Sequence, residues 1–352
     1  MTWREISPEQ LSHLRDPYLV DVRSPCEHVA ESIPGSVNVP LLTDDERALV
    51  GTIYKQEGEV SARRYALRII SPKIPDLIDR ILAMRKSGQH LVVHCWRGGL
   101  RSEAVASFLS VIGVDCWRLT GGYKAWRQQL LADFAGEYDF LPVVLDGFAG
   151  VGKTEILSEL SRLGHAVLDL EALANHRGSV FGGMGLGAQP TQKNFDAAVW
   201  LQLRKFENEP VFMEAESRKV GRLSIPNCVF DRICSGHKVL VSGTLQVRSQ
   251  RIVADYARTM NANGEANAVR LLHALTERLG ARRVAEVEQI ATAGDLVAAV
   301  EILLVEYYDP LYAKQIARSR PPDLEVNGDD IPAAAQVISK WARHLAAEPA
   351  LG

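Results

Sequence analysis

Residues 142–164 read PVVLDGFAGVGKTEILSELSRLG. An apolar run ends in an acid, bends through glycines and continues with apolar residues at helical spacing. Inside it, GFAGVGKT (147–154) matches G-x-x-x-x-G-K-[ST] at every position. That pattern works physically in one setting: a buried strand feeding a helix, with main-chain N–H groups of the intervening loop turned toward phosphate. Gly147, Gly150 and Gly152 let the loop wrap an anion. Lys153 is expected to reach the terminal phosphates of a di- or triphosphate, and Thr154 to ligate Mg²⁺ where a metal is used. A strand followed by a crossover helix needs a parallel neighbour, so the motif commits this part of the chain to an α/β sheet.

The rest of the C-terminal part extends that sheet. AVLDL (166–170), PVFMEA (210–215) and HKVLVSG (237–243) are strand candidates, residues 245–320 are helical by spacing, and DLEVNG adds a late strand before a final helix. Glu214 and Glu216, two residues apart, fall on one strand face beside the phosphate loop, where an acid or a metal ligand belongs. Asp169 is a weaker candidate of the same kind. Arg218, Lys219 and Arg222 in ESRKVGRLSIP suit phosphate, RNA or a plain charged surface loop. The arginines of ARTM…RLLHALTERLGARRV, including Arg282 and Arg283, fit either an RNA face or a solvated helix. GSVFGGMGLGAQP (178–190) is the most glycine-rich stretch and is expected to form a loop over the site.

A second reactive loop lies upstream. HLVVHC (90–95) is a compact β-branched strand, and WRGGLRS follows it into a helix, RSEAVASFLSVIG. Strand-helix alternation, with YLVDV, SVNVP and DCWRL as further strands and DDERALVGTIYKQEG, SPKIPDLIDRILAMRKSG and GGYKAWRQQLLADF as helices, again argues for a parallel sheet. Cys95 sits where the strand ends. N–H groups, the helix dipole, Arg97 and Arg101 favour an anion and a thiolate there, and Gly98 and Gly99 let the backbone curl. C-x5-R is the spacing of a cysteine phosphatase. The flanks DVRSPCEHVAESIPGSVNVP and LTGGYKAWR resemble rhodanese sulfurtransferases instead, which usually have a loop one residue shorter. The two observations are reconciled if the bound anion is phosphate-like and carries a chalcogen. His94 and Trp96 are expected to orient or pack the loop, and Cys26, Cys116, Cys228 and Cys234 to be buried packing cysteines.

Composition narrows the setting. The 352 residues suggest two domains, 1–137 and 138–352, joined at the short polar DFAGEYDF. Five cysteines without CxxC spacing do not make a disulfide framework and fit a reducing, cytoplasmic compartment. No secretory signal and no apolar run of about 20 residues is visible, so no membrane partner is expected. A net charge of −3 gives no global pull on nucleic acid, so an RNA partner needs a local basic patch.

Taken together, DVRSPCEH, IPGSVNVP, GTIYKQEG, CWRGGLRS, LTGGYKAWR, GFAGVGKTE, DLEALANHRGSVFG, QPTQKNFD and ESRKVG resemble the bacterial tRNA 2-selenouridine synthases over essentially the whole chain. The resemblance implies an N-terminal rhodanese-like domain followed by a P-loop NTPase-like α/β domain with a helical C-terminal part. It implies a transferase acting on the wobble uridine in the anticodon arm of tRNA. Geranyl diphosphate alkylates the sulfur of 2-thiouridine, then selenophosphate supplies selenium and geranylthiol leaves. No tightly bound cofactor is implied beyond Mg²⁺ where used, and the enzyme that supplies selenophosphate is an implied partner. Cys95 then either takes selenium as a perselenide or steers the donor. The alternatives are a P-loop phosphotransferase fused to a sulfurtransferase or phosphatase-like cysteine domain, and a non-enzymatic tRNA-docking module.

Overall fold

The computed structural model describes residues 3–136, 138–178, 182–183, 186–257, 279–318 and 320–347. The chain divides into two compact units, Met1–Gly136 and Glu137–Gly352.

The first unit is a five-stranded parallel sheet. Its strands are β1 (Trp3–Ile6), β2 (Pro17–Asp21), β3 (Val37–Asn38), β4 (His90–His94) and β5 (Cys116–Leu119), in the order β1-β5-β4-β2-β3. β4 is central and buried on both faces, as its unbroken LVVH run requires. Helix Ile74–Met84 supplies Leu77, Ile78 and Ile81 to the core, and helix Leu100–Val111 supplies Val105, Ala106 and Leu109. Three elements carry no clear mark in the sequence, among them helix Pro8–Ser12, five residues with Leu11 buried. β1 is an edge strand of four residues with only Ile6 buried. Helix Glu59–Ile70 follows helix Asp44–Glu57 directly after Gly58 and buries only Ala62, so it has little apolar stripe to recognise.

The second unit holds another parallel sheet, β6 (Leu141–Asp146), β7 (Ala166–Leu168), β8 (Pro210–Glu214), β11 (His237–Ser242) and β12 (Leu324–Asn327), ordered β12-β11-β6-β8-β7. β6 is central, between β8 and β11. Helix Lys153–Arg162 and the final helix Ile331–Ala347 bury Ile156, Leu157, Leu160, Ala334, Ala335, Ile338 and Ala342 in one core. In both sheets the reactive loop leaves the carboxyl end of the central strand, where open α/β sheets bind ligands. A small antiparallel hairpin, β9 (Lys219–Val220) with β10 (Leu223–Ser224), follows β8 and was not expected.

Several expectations need correction. AVLDL is a strand only to Leu168: Asp169 caps helix Leu170–Ala174 by accepting from the Ala172 N–H at 2.8 Å. β8 ends at Glu214, so Glu216 lies beyond the strand. Cys26 and Cys234 are exposed and Cys228 is half-buried, leaving Cys116 as the buried packing cysteine of that group. Cys26 opens a six-residue helix that buries no side chain. Residues 258–278, with most of the arginines considered for RNA, lie outside the described residues, as do 179–181 and 184–185 of the glycine-rich stretch. Arg283 pairs with Glu286 and Glu306, which marks a helix-to-helix tie.

Candidate functional site

The Cys95 loop is held from behind. The Tyr123 N–H donates to the Cys95 carbonyl and the Lys124 N–H to the Trp96 carbonyl, both at 2.9 Å. Those donors open helix Gly122–Asp133, so LTGGYKAWR is the back wall of the cysteine loop. The approach leaves no room for side chains. A Cβ on Gly122 (φ +60) would lie 2.3 Å from the Cys95 carbonyl oxygen and 2.4 Å from the Gly98 nitrogen. One on Gly98 (φ +63) would lie 2.7 Å from the Leu119 carbonyl oxygen. Gly99 has no such constraint: its φ is −96 and a Cβ would meet nothing within 4 Å. The N–H groups of Trp96, Arg97, Gly98 and Gly99 find no acceptor among the described residues. Four successive N–H groups without an acceptor at an uncapped helix start are donors of the kind an anion would use.

Cys95 is buried, 3% exposed, with Sγ 3.3 Å from the Ser102 Oγ and 3.8 Å from the Gly99 carbonyl oxygen. Ser102 was not singled out in the sequence, although it is fully buried. Arg97 is exposed beside the loop. Arg101 does not point freely at the nest. It donates to both oxygens of Glu27, at 2.6 and 3.2 Å. Burial alone would lower the Arg101 pKa, but Glu27 and the Cys95 sulfur raise it, so the guanidinium stays in electrostatic reach of the sulfur. Trp96 stacks on Tyr123 with centroids 5.5 Å apart.

Beneath the loop lies a buried charge cluster. Asp21 accepts from the Arg23 N–H and Nε at 3.0 Å and from NH2 at 2.6 Å, with His28 Nδ1 at 2.9 Å. Burial pushes the Asp21 carboxyl up, but His28, His94 and Arg23 outweigh it and hold it below the usual range. Arg23 lies over the Tyr123 ring at 4.5 Å. His94 is fully buried, its Nδ1 is 3.8 Å from Asp21, and burial drives its pKa down to about 4 against the raising pull of Asp21.

The P-loop follows the same plan. Asp146 accepts from the Gly147 N–H at 2.7 Å and pairs with the buried Lys238 at 2.9 Å. Arg248 donates Nε to the Ala149 carbonyl at 2.9 Å, and Arg251 donates to the Val151 carbonyl at 3.0 Å. Arg248 is itself anchored on Asp309. The N–H groups of Phe148 through Gly152 find no acceptor among the described residues. Gly147 (φ +150), Gly150 (φ +77) and Gly152 (φ +94) all take conformations that favour glycine. Lys153 Nζ caps the Gly147 and Phe148 carbonyls at 3.1 and 3.3 Å.

Thr154 donates to Glu214 at 2.7 Å. Glu171, Glu214 and Glu216 bring carboxylate oxygens within 4.8 Å of one another. Burial first, then the neighbouring carboxylates, raises the pKa of Glu171 and Glu216, and burial raises that of Glu214. Glu171 opens a helix in DLEALANHRGSVFG and carries no local motif, so only the tertiary fold reveals it. Asp169 stays at its helix cap, outside this trio. A Cβ on Gly178 would lie 2.4 Å from Glu171 and 3.0 Å from Glu216, so the glycine-rich segment starts against the trio.

The hairpin beyond Glu216 is tightly pinned. Gln189 bonds the Val220 carbonyl and the Arg222 N–H, and Gln192 bonds both backbone groups of Ser224. Arg222 donates to the Gln189 carbonyl at 2.8 Å, and Arg218 to Asn227 while lying over the Phe230 ring. Arg218, Lys219 and Arg222 are exposed, and none pairs with a carboxylate among the described residues.

No described helix is long and apolar enough to cross a membrane. A family model for the tRNA 2-selenouridine synthase AAA domain matches residues 141–344, and one for the rhodanese-like domain matches residues 7–129. The tRNA 2-selenouridine synthase of Nitrosomonas europaea is 33% identical, over 87% of this chain and 91% of its own. That of Pseudomonas fluorescens is 35% identical, over 90% and 93%. That of Ectopseudomonas mendocina is 34% identical, over 96% of both. With both loops intact and full-length relatives at this identity, the chain belongs to the tRNA 2-selenouridine synthase family.

Proposed function

We propose that this enzyme converts 2-thiouridine at the tRNA wobble position to 2-selenouridine through an S-geranyl intermediate, in the cytoplasm. The observation that carries the reading is the pair of open N–H nests, one with Lys153 and Thr154, the other with Cys95. The P-loop suits geranyl diphosphate. The thiocarbonyl sulfur attacks the allylic carbon, the C–O bond breaks, and Lys153 with the loop N–H groups stabilises the departing pyrophosphate. The cysteine nest suits selenophosphate, a tetrahedral anion.

Thr154, Glu214, Glu171 and Glu216 are all hard oxygen donors and fit Mg²⁺. Bound there, the ion would neutralise diphosphate charge. The uncompensated cations Arg218, Lys219 and Arg222 suit the tRNA backbone.

The test is mass spectrometry of wobble nucleosides after incubation with thiolated tRNA, geranyl diphosphate and selenophosphate, omitting each in turn. Omitting selenophosphate should leave S-geranyl uridine, and omitting geranyl diphosphate should leave 2-thiouridine. Cys95→Ser should geranylate without selenating, and Lys153→Ala should do neither. A phosphotransferase working through the same P-loop would need a nucleoside triphosphate. Full turnover without one refutes it, and strict dependence on one refutes the geranyl reading.

A further inference from the structure

Resting on the geranyl diphosphate reading above, we propose that Tyr312 is a further catalytic residue of the second unit, its ring face holding the allylic carbon while the diphosphate departs. When the C1–O bond of an allylic diphosphate breaks, the electron pair leaves with pyrophosphate and positive charge spreads over C1 and C3. The thiocarbonyl sulfur closes on C1, and the N3 proton of the thiouridine passes to water, which leaves a neutral S-geranyl base. Lys153 and the loop N–H groups meet the negative half of that charge separation. The positive half needs a partner that attracts a cation without reacting with it. The face of a neutral aromatic ring is such a partner.

Tyr312 stands where that partner is needed. Lys153 Nζ lies 5.9 Å from the centroid of its ring, so the ring turns its face to a cation beside the P-loop. A diphosphate is short, and the lysine that holds it stands close to the bond that breaks. A ring that stacked on a nucleobase would belong at the far end of a triphosphate, away from this lysine. The ring is placed by the same helix that fastens the P-loop. Helix Asp309–Arg318 begins directly after a π-helical turn, Leu304–Tyr308, a distortion frequent at functional sites. Asp309 pairs with Arg248, which donates to the Ala149 carbonyl, and Tyr312 follows three residues later on the same helix face. Tyr312 and Ala149 both pack against the cluster of Leu304, Tyr307 and Tyr308. Burial first, then Glu216, Glu171 and Glu214, push the Tyr312 phenol up to about 12, so it keeps its proton. A phenolate there would itself capture the allylic carbon, whereas the neutral ring only attracts it. Phe148, the aromatic residue of the P-loop itself, is already engaged, with Arg248 over its ring at 5.1 Å.

The experiment uses the full chain, thiolated tRNA and geranyl diphosphate without selenophosphate, and follows S-geranyl uridine by mass spectrometry. Tyr312→Leu should lower kcat by about 2- to 30-fold, the range of one cation–π contact, with KM for geranyl diphosphate and calorimetric pyrophosphate affinity little changed. Tyr312→Phe should keep the rate. Phenylalanines carrying successively more ring fluorines, placed at position 312, should then lower kcat stepwise, because each fluorine draws charge off the ring face while the shape hardly changes. Equal rates across that series would make the ring a plain apolar wall and overturn the proposal. An unchanged kcat in Tyr312→Leu would overturn it too. So would a rate loss matched by a loss of pyrophosphate affinity, which would make the ring a prop for Lys153. The wild type separates the two levels. Geranylation by the wild type with a flat fluorine series sinks only this inference, whereas no geranylation from geranyl diphosphate sinks the geranyl reading and the role of Tyr312 with it.

Discussion

Acid should destabilise the first unit through His94, and the size follows from its burial. His94 is fully buried, neither ring nitrogen has a hydrogen-bond partner among the described residues, and Asp21 at 3.8 Å is too far to bond it. Burial lowers its pKa from 6.5 to about 4, with Asp21 opposing. In the unfolded chain the imidazole protonates near 6.5, while in the folded chain it stays neutral to about 4. The unfolded state therefore binds more protons across that window, and stability falls as pH drops from 6.5 toward 4. A gap of 2.5 units corresponds to about 3 kcal/mol, a large part of the ~5–15 kcal/mol that holds a typical domain. Asp21 does not obscure this. Its carboxyl is held low, so its contribution is present above about 3.9 and is lost only below that. His165 and His176 are also lowered by burial, so the comparison must be between variants. Urea unfolding of wild type and His94→Phe at pH 7.0 and 4.5 should show the wild type losing about 2–3 kcal/mol more than the variant. Equal losses, or a wild type gaining stability in acid, would mean that His94 is protonated in the fold and that Asp21 wins over burial.

Gly122→Ala should cost about 2–5 kcal/mol, from a left-handed alanine at ~1–2 and overpacking at ~1–3. Because it displaces the Cys95 and Gly98 backbone, denaturation and Cys95 alkylation rates should change together. Arg248→Ala should cost about 2–3 kcal/mol, below the ~3–5 of a fully buried broken pair because Asp309 is 24% exposed. It should also weaken pyrophosphate binding, read by calorimetry, since the Ala149 carbonyl loses its anchor. Lys219→Gln makes no change to side-chain packing and should lower the salt slope of tRNA binding by about 1, with pyrophosphate affinity unchanged. An unchanged slope would remove the hairpin from the RNA surface. Thr154→Ala and Glu214→Gln should each raise the Mg²⁺ concentration needed for geranylation, and metal-independent turnover in the wild type would refute the hard-donor assignment.

Both reactive loops were legible in the sequence because each is written in one continuous strand-loop-helix segment, where glycine, cation and nucleophile have fixed local spacing. Their supports were not. Tyr123 and Lys124 reach the cysteine loop from another helix, Arg248 and Arg251 reach the P-loop from about a hundred residues away, and Glu171 joins Glu214 from a separate helix. No periodicity records such pairings. Local spacing places Arg101 in the first helical turn as a cation beside the loop, and it does not show that Glu27, 74 residues away, shares that cation. The hairpin of β9 and β10 has two residues per strand, too short to show alternation. It is fixed instead by Gln189 and Gln192 in the QPTQKNFD stretch, whose bonds to the hairpin span some thirty residues.

The two loops share a physical device that neither motif states. A peptide unit that turns its N–H toward a ligand must turn its carbonyl away, and a buried carbonyl needs a donor. In the cysteine loop the Cys95 and Trp96 carbonyls are taken by the Tyr123 and Lys124 N–H groups; in the P-loop the Ala149 and Val151 carbonyls are taken by Arg248 and Arg251. The donors differ in charge. Main-chain donors at the cysteine loop bring no net charge, so an incoming anion there relies on the nest, Arg97 and a guanidinium shared with Glu27. Behind the P-loop Arg248 is shared with Asp309 in the same way, but Arg251 is held by carbonyls and adds net charge suited to a diphosphate. The difference predicts how salt acts on each site: pyrophosphate binding should weaken more steeply with ionic strength than selenophosphate binding. Equal salt dependence would show that the cations behind the P-loop fasten carbonyls without contributing field.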